Sequence, residues 1–80
     1  MSSYDITIEK DEDNEYYAKV DWDYKCGRGL YWVYSDGSFH GDDWWMDGGM
    51  EYYEGNVSDE TCGWLDHALD TLKSFLEEQE

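Results

Sequence analysis

Carboxylates and aromatic rings are the side chains with chemistry to offer in this sequence. Its 80 residues hold 21 Asp and Glu against 5 Lys and Arg, a net charge of −16. Asp21 and Asp23 are two apart in a run that alternates like a strand. Alternate strand residues share one face about 6.6 Å apart. Neighbouring phosphates along a nucleic-acid strand have a similar separation. Asp42, Asp43 and Asp47 cluster around Trp44 and Trp45, in a stretch that reads either as a strand extension or as a wide loop. Asp59, Asp66, Asp70 and Glu77 fall in one stripe of an expected helix, beside its apolar face. These acids are the candidate phosphate surrogates. Trp44, Trp45 and Tyr17 are the candidate anchors, since Tyr and Trp dominate interface energetics and their ring faces attract Lys and Arg.

A blander reading stands beside this one. A charged stripe on a helix is usually a solvated face, and acids by themselves aid solubility. Against it weighs the size of the excess, because self-repulsion at this charge destabilises the compact state.

Other chemistries have weaker support. Asp11-Glu12-Asp13-Asn14-Glu15 opens like a calcium loop, but the sixth position holds Tyr16 instead of Gly and the twelfth holds Trp22 instead of Glu. His40, His67, Cys26 and Cys62 lack zinc-ligand spacing. There is no nucleophile elbow and no phosphate loop. The expectation is a binding protein with no metal, no cofactor and no catalytic residues.

The charge also sorts partners. Free nucleic acid and anionic membranes would be repelled. A basic protein surface would be attracted, and its encounter accelerated at low salt. A second copy of the chain is a further candidate partner, because surplus aromatics could gain burial. Met1 to Asp5 has no secretory pattern and no segment has the length of a membrane span, so the expected location is the cytoplasm. There Cys26 and Cys62 are expected as thiols.

The elements that must position these groups can be read from periodicity. Disordered acidic chains are poor in aromatics, so 19% aromatic residues argue for a folded domain. Alternation predicts strands over 4–9 and 16–24, joined by an acidic turn. In the second, Ala18, Val20, Trp22 and Tyr24 face one way and Tyr17, Lys19, Asp21 and Asp23 the other. Further strands are expected over 30–34, 38–41 and 50–54, with Asp36-Gly37 as a hairpin turn. Leu65, Ala68, Leu69, Leu72, Phe75 and Leu76 recur at helical steps and predict a helix over 59–77, with Ser58 as N-cap. The predicted fold is one α+β domain: an antiparallel meander of four to five strands, covered on one face by a C-terminal helix.

With its Asp and Glu rows, interleaved Tyr and Trp, and one short α+β domain, the chain resembles the small acidic inhibitors carried by phages, namely DNA-mimic and anti-CRISPR proteins. The resemblance is of size and composition along the whole chain, and no residue roles are carried over from it. It implies a stoichiometric inhibitor that blocks the DNA- or RNA-binding groove of a defence complex, a CRISPR effector foremost, in the cytoplasm of an infected bacterium. Immunity proteins and antitoxins that cap basic nuclease toxins are similar in the same respects, and form the alternative.

Overall fold

A computed structural model of the chain describes residues 3–60 and 63–79. Five strands follow one another: β1 (Ser3–Lys10), β2 (Tyr16–Tyr24), β3 (Gly27–Tyr34), β4 (Ser38–Trp45) and β5 (Gly49–Asn56). They form one antiparallel sheet in the order β1-β2-β3-β4-β5. A single 3-10 turn, Val57–Asp59, leads towards helix α1 (Gly63–Glu78). The α+β meander with a helix on one face is therefore the observed fold.

Side chains on the helix side of β1 to β4 form the core. Ala18, Val20, Tyr31, Val33 and Phe39 from the sheet meet Val57, Leu65, Ala68 and Leu72. The helix lies mainly over β2, with β1 and β3 alongside. Tyr16 packs edge-on against Phe75 at 4.9 Å between ring centroids. Tyr4 Oη and His67 Nδ1, 3.0 Å apart, tie β1 to the helix.

The connections have local causes. In the acidic turn, Asp11 Oδ1 accepts from the backbone N–H groups of Asp13 and Glu15, both at 2.9 Å. Asp36 Oδ1 accepts from Ser38 N in the Asp36-Gly37 hairpin, and Gly37 takes a φ of 92° that only Gly adopts readily. These carboxylates build turns.

Several expected boundaries are corrected: β3 begins at Gly27 instead of Leu30, and β5 runs to Asn56 instead of Glu54. Strand β4 runs to Trp45 instead of ending at Gly41, so Asp42, Asp43 and Trp44 belong to a strand and not to a loop. The pairing of Asp42 with Leu30 and Tyr52, and of Asp43 with Gly29 and Glu51, satisfies their backbone. The turn falls later, where Gly49 takes a φ of 82°. The helix begins at Gly63, not near residue 59. Asn56 Oδ1 accepts from both Ser58 N (3.0 Å) and Ser58 Oγ (2.8 Å), which closes a 3-10 turn; Glu60 then returns to extended backbone. Ser58 is therefore not the helix N-cap, and Asp59 leaves the helical stripe. Cys62 lies outside the described residues; Cys26 is exposed in the β2–β3 turn.

Candidate partner-binding face

The sheet side away from the helix has no covering element among the described residues. Strand alternation and the pairing register define what it presents. One cross-strand row runs Asp5, Asp21, Leu30, Asp42, Tyr52. A neighbouring row continues Asp23, Arg28, Trp44, Met50, and the row on the other side runs Thr7, Lys19, Trp32, His40, Glu54. An apolar and aromatic centre is thus bordered by carboxylates.

The centre is partly ordered by its own contacts. Trp32 stacks on His40 with ring centroids 5.2 Å apart and planes at 20°. Tyr34 Oη lies 3.1 Å from His40 Nε2. The Arg28 guanidinium sits 5.4 Å from the centre of a Trp44 ring. Asp5, Asp21 and Asp23 are exposed, as is Trp44. Lys19 Nζ lies 3.4 Å from Glu9 Oε2, the one ion pair among the described residues. Most of the remaining acids are exposed.

The structure gathers Asp21, Asp23, Asp42, Trp44 and Tyr17 on this face. Tyr17 is the least available of them. Its hydroxyl donates to Glu9 Oε1 at 3.0 Å and its ring leans on Tyr34 at 6.0 Å, so it stiffens the corner of the face. That hydrogen bond, with some burial, raises the Tyr17 hydroxyl above its ordinary range.

The other candidates lie elsewhere. Trp45 and Asp43 are on the helix side of the sheet, because they are the odd neighbours of Asp42 and Trp44 on the same strand. Asp43 is 5% exposed, so it cannot serve as a surface phosphate surrogate. Burial raises its carboxyl above the ordinary range; the Tyr31 hydroxyl, donating to Oδ2 at 3.3 Å, partly offsets that, and Glu51 reinforces the rise. Asp47 is exposed in the β4–β5 turn, and Asp59 is exposed in the 3-10 turn. Asp66, Asp70 and Glu77 are exposed on α1, on the far side of the molecule from the uncovered sheet face. Twelve scattered candidates therefore do not make one surface.

Several members of the face lie outside the sequence-based candidates, Trp32, Arg28 and His40 among them. Asp5 sits directly opposite Asp21, Glu54 opposite His40, and Leu30 between Asp21 and Asp42. The alternation of Tyr4-Asp5-Ile6 already placed Asp5 on the polar side; only the register could bring it beside Asp21.

Among the described residues, no group of three or more His, Cys, Asp or Glu side chains is arranged to hold a metal ion, and no helix is long and apolar enough to cross a membrane. Comparison with protein-family models, with curated proteins and with solved structures gives no match.

Proposed function

We propose that this chain is a non-catalytic binding protein that docks on the basic nucleic-acid-binding surface of another protein and blocks it as a nucleic-acid mimic. The observation that carries the reading is the uncovered sheet face, where Asp5, Asp21, Asp23 and Asp42 border Leu30, Trp32 and Trp44. A flat apolar centre with a charged rim has the anatomy of a protein interface. The rim is of one sign apart from Arg28 and Lys19, so its complement is a surface rich in Arg and Lys. Aromatic rings among the acids add cation–π contacts to the charge pairs, and Arg28 on Trp44 is an intramolecular instance of that pairing.

The partner class favoured by size and composition is a CRISPR effector, which would make the chain an anti-CRISPR protein. A small nuclease toxin is the alternative, with the chain as its immunity protein. Affinity capture from nuclease-treated lysate of the native bacterial host separates these. Recovery of a CRISPR effector subunit, released by salt and displaced by DNA or guide RNA, supports the mimic. Recovery of one small nuclease supports the alternative. The triple variant Asp21→Asn, Asp23→Asn, Asp42→Asn should lose the captured protein. If capture by the triple variant is undiminished, the uncovered face is not the interface and the reading fails.

A further inference from the structure

The helix side of the sheet carries a second feature, where β4 and β5 extend past the helix. Trp22, Tyr24, Tyr31, Trp45, Tyr53 and Trp64 wall a cavity of about 390 Å³ that Asp43 also lines. That volume is in the range of small-ligand pockets, about 300–1,000 Å³. The rings stand at angles to one another instead of collapsing into a stack. Trp22 meets Trp45 at 5.6 Å and 53°, Trp22 meets Trp64 at 6.2 Å and 46°, and Tyr31 meets Trp64 at 4.9 Å and 60°. Tyr24 closes the far side against Trp45 at 6.5 Å.

The sequence makes room for this cage by leaving side chains out beneath it. A Cβ at Gly29 would overlap the Trp22 indole, and one at Gly41 would overlap the Tyr31 ring. The glycines let both rings lie against the sheet.

Two buried polar atoms among these residues lack a well-formed hydrogen bond, Asp43 Oδ1 and Trp22 Nε1, although the Trp45 indole still eases the Asp43 carboxylate and the Trp22 indole the Tyr31 hydroxyl. A buried acceptor left unpaired costs free energy and calls for an explanation. Glu51 pairs with Asp43 across the strands, so a second carboxylate neighbours the one that lines the cavity. Glu51 is partly engaged, accepting from the Tyr53 hydroxyl. Glu60 lines a small adjoining hollow that shares Tyr31, Tyr53 and Trp64. Like-charge neighbours in a sheet are unfavourable unless something positive comes between or beside them.

We propose that this cavity is an arginine-binding cage: it takes a guanidinium group, ring faces stacking on the cation and Asp43 Oδ1 accepting one of its N–H bonds. The chemistry selects guanidinium over its rivals. A quaternary ammonium would satisfy the rings but has no N–H for Asp43. A lysine ammonium has the donors but is a compact, strongly hydrated charge. Guanidinium is planar, weakly hydrated and carries five donors, so it stacks on rings and pairs with a carboxylate at once. The inference deepens the reading above, and rests on it only for the source of the arginine, a side chain of the basic partner. It adds that the partner is gripped at a point on the helix side of the sheet, beyond the rim of the uncovered face.

The test is titration of the full chain with N-acetyl-arginine amide, with N-acetyl-lysine amide and tetramethylammonium as competitors, followed by the five tryptophan indole N–H signals in NMR. Trp22, Trp45 and Trp64 line the cage, while Trp32 and Trp44 lie on the opposite face and report non-specific binding. The arginine probe should shift the first three and spare the other two, and should bind at least tenfold tighter than either competitor. Asp43→Asn should weaken it about tenfold and Trp45→Ala by a similar factor. Glu12→Gln, which removes one charge from the exposed acidic turn, should leave it unchanged. Equal response to tetramethylammonium would overturn the guanidinium assignment. Absence of shifts at the three cage indoles, or full binding by Asp43→Asn, would overturn the site. Either result leaves capture of a basic partner on the uncovered face standing, so the two readings fail separately.

Discussion

Asp5 and Asp21 stand directly opposite each other across β1 and β2, both exposed on the uncovered face. Like charges in that position oppose strand pairing. Neither has a cation paired with it among the described residues. The repulsion is the local form of a charge excess that the whole chain carries, and a basic partner would relieve it on binding. Asp21→Asn should therefore raise Tm by about 2 °C in thermal unfolding followed by circular dichroism, and the gain should vanish in 1 M salt. The same substitution should slow association with the captured partner at low salt. A Tm that falls, or a gain indifferent to salt, would contradict the electrostatic account.

Asp43 adds a pH dependence to the fold, opposite in sign to that of Asp36, whose carboxyl its bonds to Ser38 hold below the ordinary range. The folded value of Asp43 is raised above that of the unfolded chain by burial and by Glu51, against the hydrogen bonds from Tyr31 and the Trp45 indole. The stabilising contribution of a group shifted in this direction is fully present below its unfolded value of 3.8 and is lost as pH rises through the folded value. At neutral pH the ionised side chain is therefore a cost. Asp43→Asn keeps an acceptor for the Tyr31 hydroxyl and removes the charge. It should melt above the wild type at pH 7, and the two curves should converge as pH falls towards 4. The variant that gains stability is also the one that should lose arginine binding, which is the usual direction of a trade between stability and function. Parallel Tm curves across that range would show that Asp43 does not titrate in the way its burial implies.

The fold was legible in the sequence to a large degree, and the reasons are local. Tyr4-Asp5-Ile6-Thr7-Ile8 and Ala18-Lys19-Val20-Asp21-Trp22 alternate cleanly because one side of their sheet faces the helix and the other faces water. Leu65, Ala68 and Leu72 mark the buried side of α1, and all three are buried. Residues 42–45 were harder. Asp42, Asp43, Trp44 and Trp45 offer no alternation of polar and apolar types, since Asp43 is buried without the look of a core residue. The helix start was misplaced because Ser58 and Asp59 have the chemistry of a helix N-terminus, while Asn56 claims the Ser58 donors for a 3-10 turn. The candidate site was legible only as composition. Which acids share a surface depends on register, and that is a long-range property. Trp22, Trp45 and Trp64 come together from three elements, with nothing in their spacing to announce it.

The core is small, and single truncations should be severe. Leu72 is fully buried between the helix and the sheet. Removing its side chain leaves a cavity that costs about 3 kcal/mol. Domains of this size have a total stability of only about 5–10 kcal/mol. Leu72→Ala should lower the urea midpoint by about 30–60% with an unchanged slope. Leu76→Ala, at a position only partly buried against the same cluster, should lower it by about half as much. Equal losses at the two positions would mean that the end of the helix is packed as tightly as its middle.

Two glycines of the sheet should respond oppositely to the same added methyl group. A Cβ at Gly41 would overlap the Leu30 carbonyl and the Tyr31 ring, neither of which can withdraw without disturbing β3. Overpacking of that kind costs about 1–3 kcal/mol. A Cβ at Gly55 would make ordinary contact with Phe39 at 3.6 Å, in extended backbone, and would reduce the freedom of the unfolded chain. Gly41→Ala should therefore destabilise the protein and shift the NMR signals of the Tyr31 ring, whereas Gly55→Ala should be neutral or slightly stabilising. Because Tyr31 also donates to Asp43 at the cage, Gly41→Ala should weaken binding of the arginine probe as well, and Gly55→Ala should not. An alanine at position 41 that leaves stability and the Tyr31 signals intact would mean that this ring does not lie against the backbone as its contacts require, and the account of how the sheet makes room for the cage would fall with it.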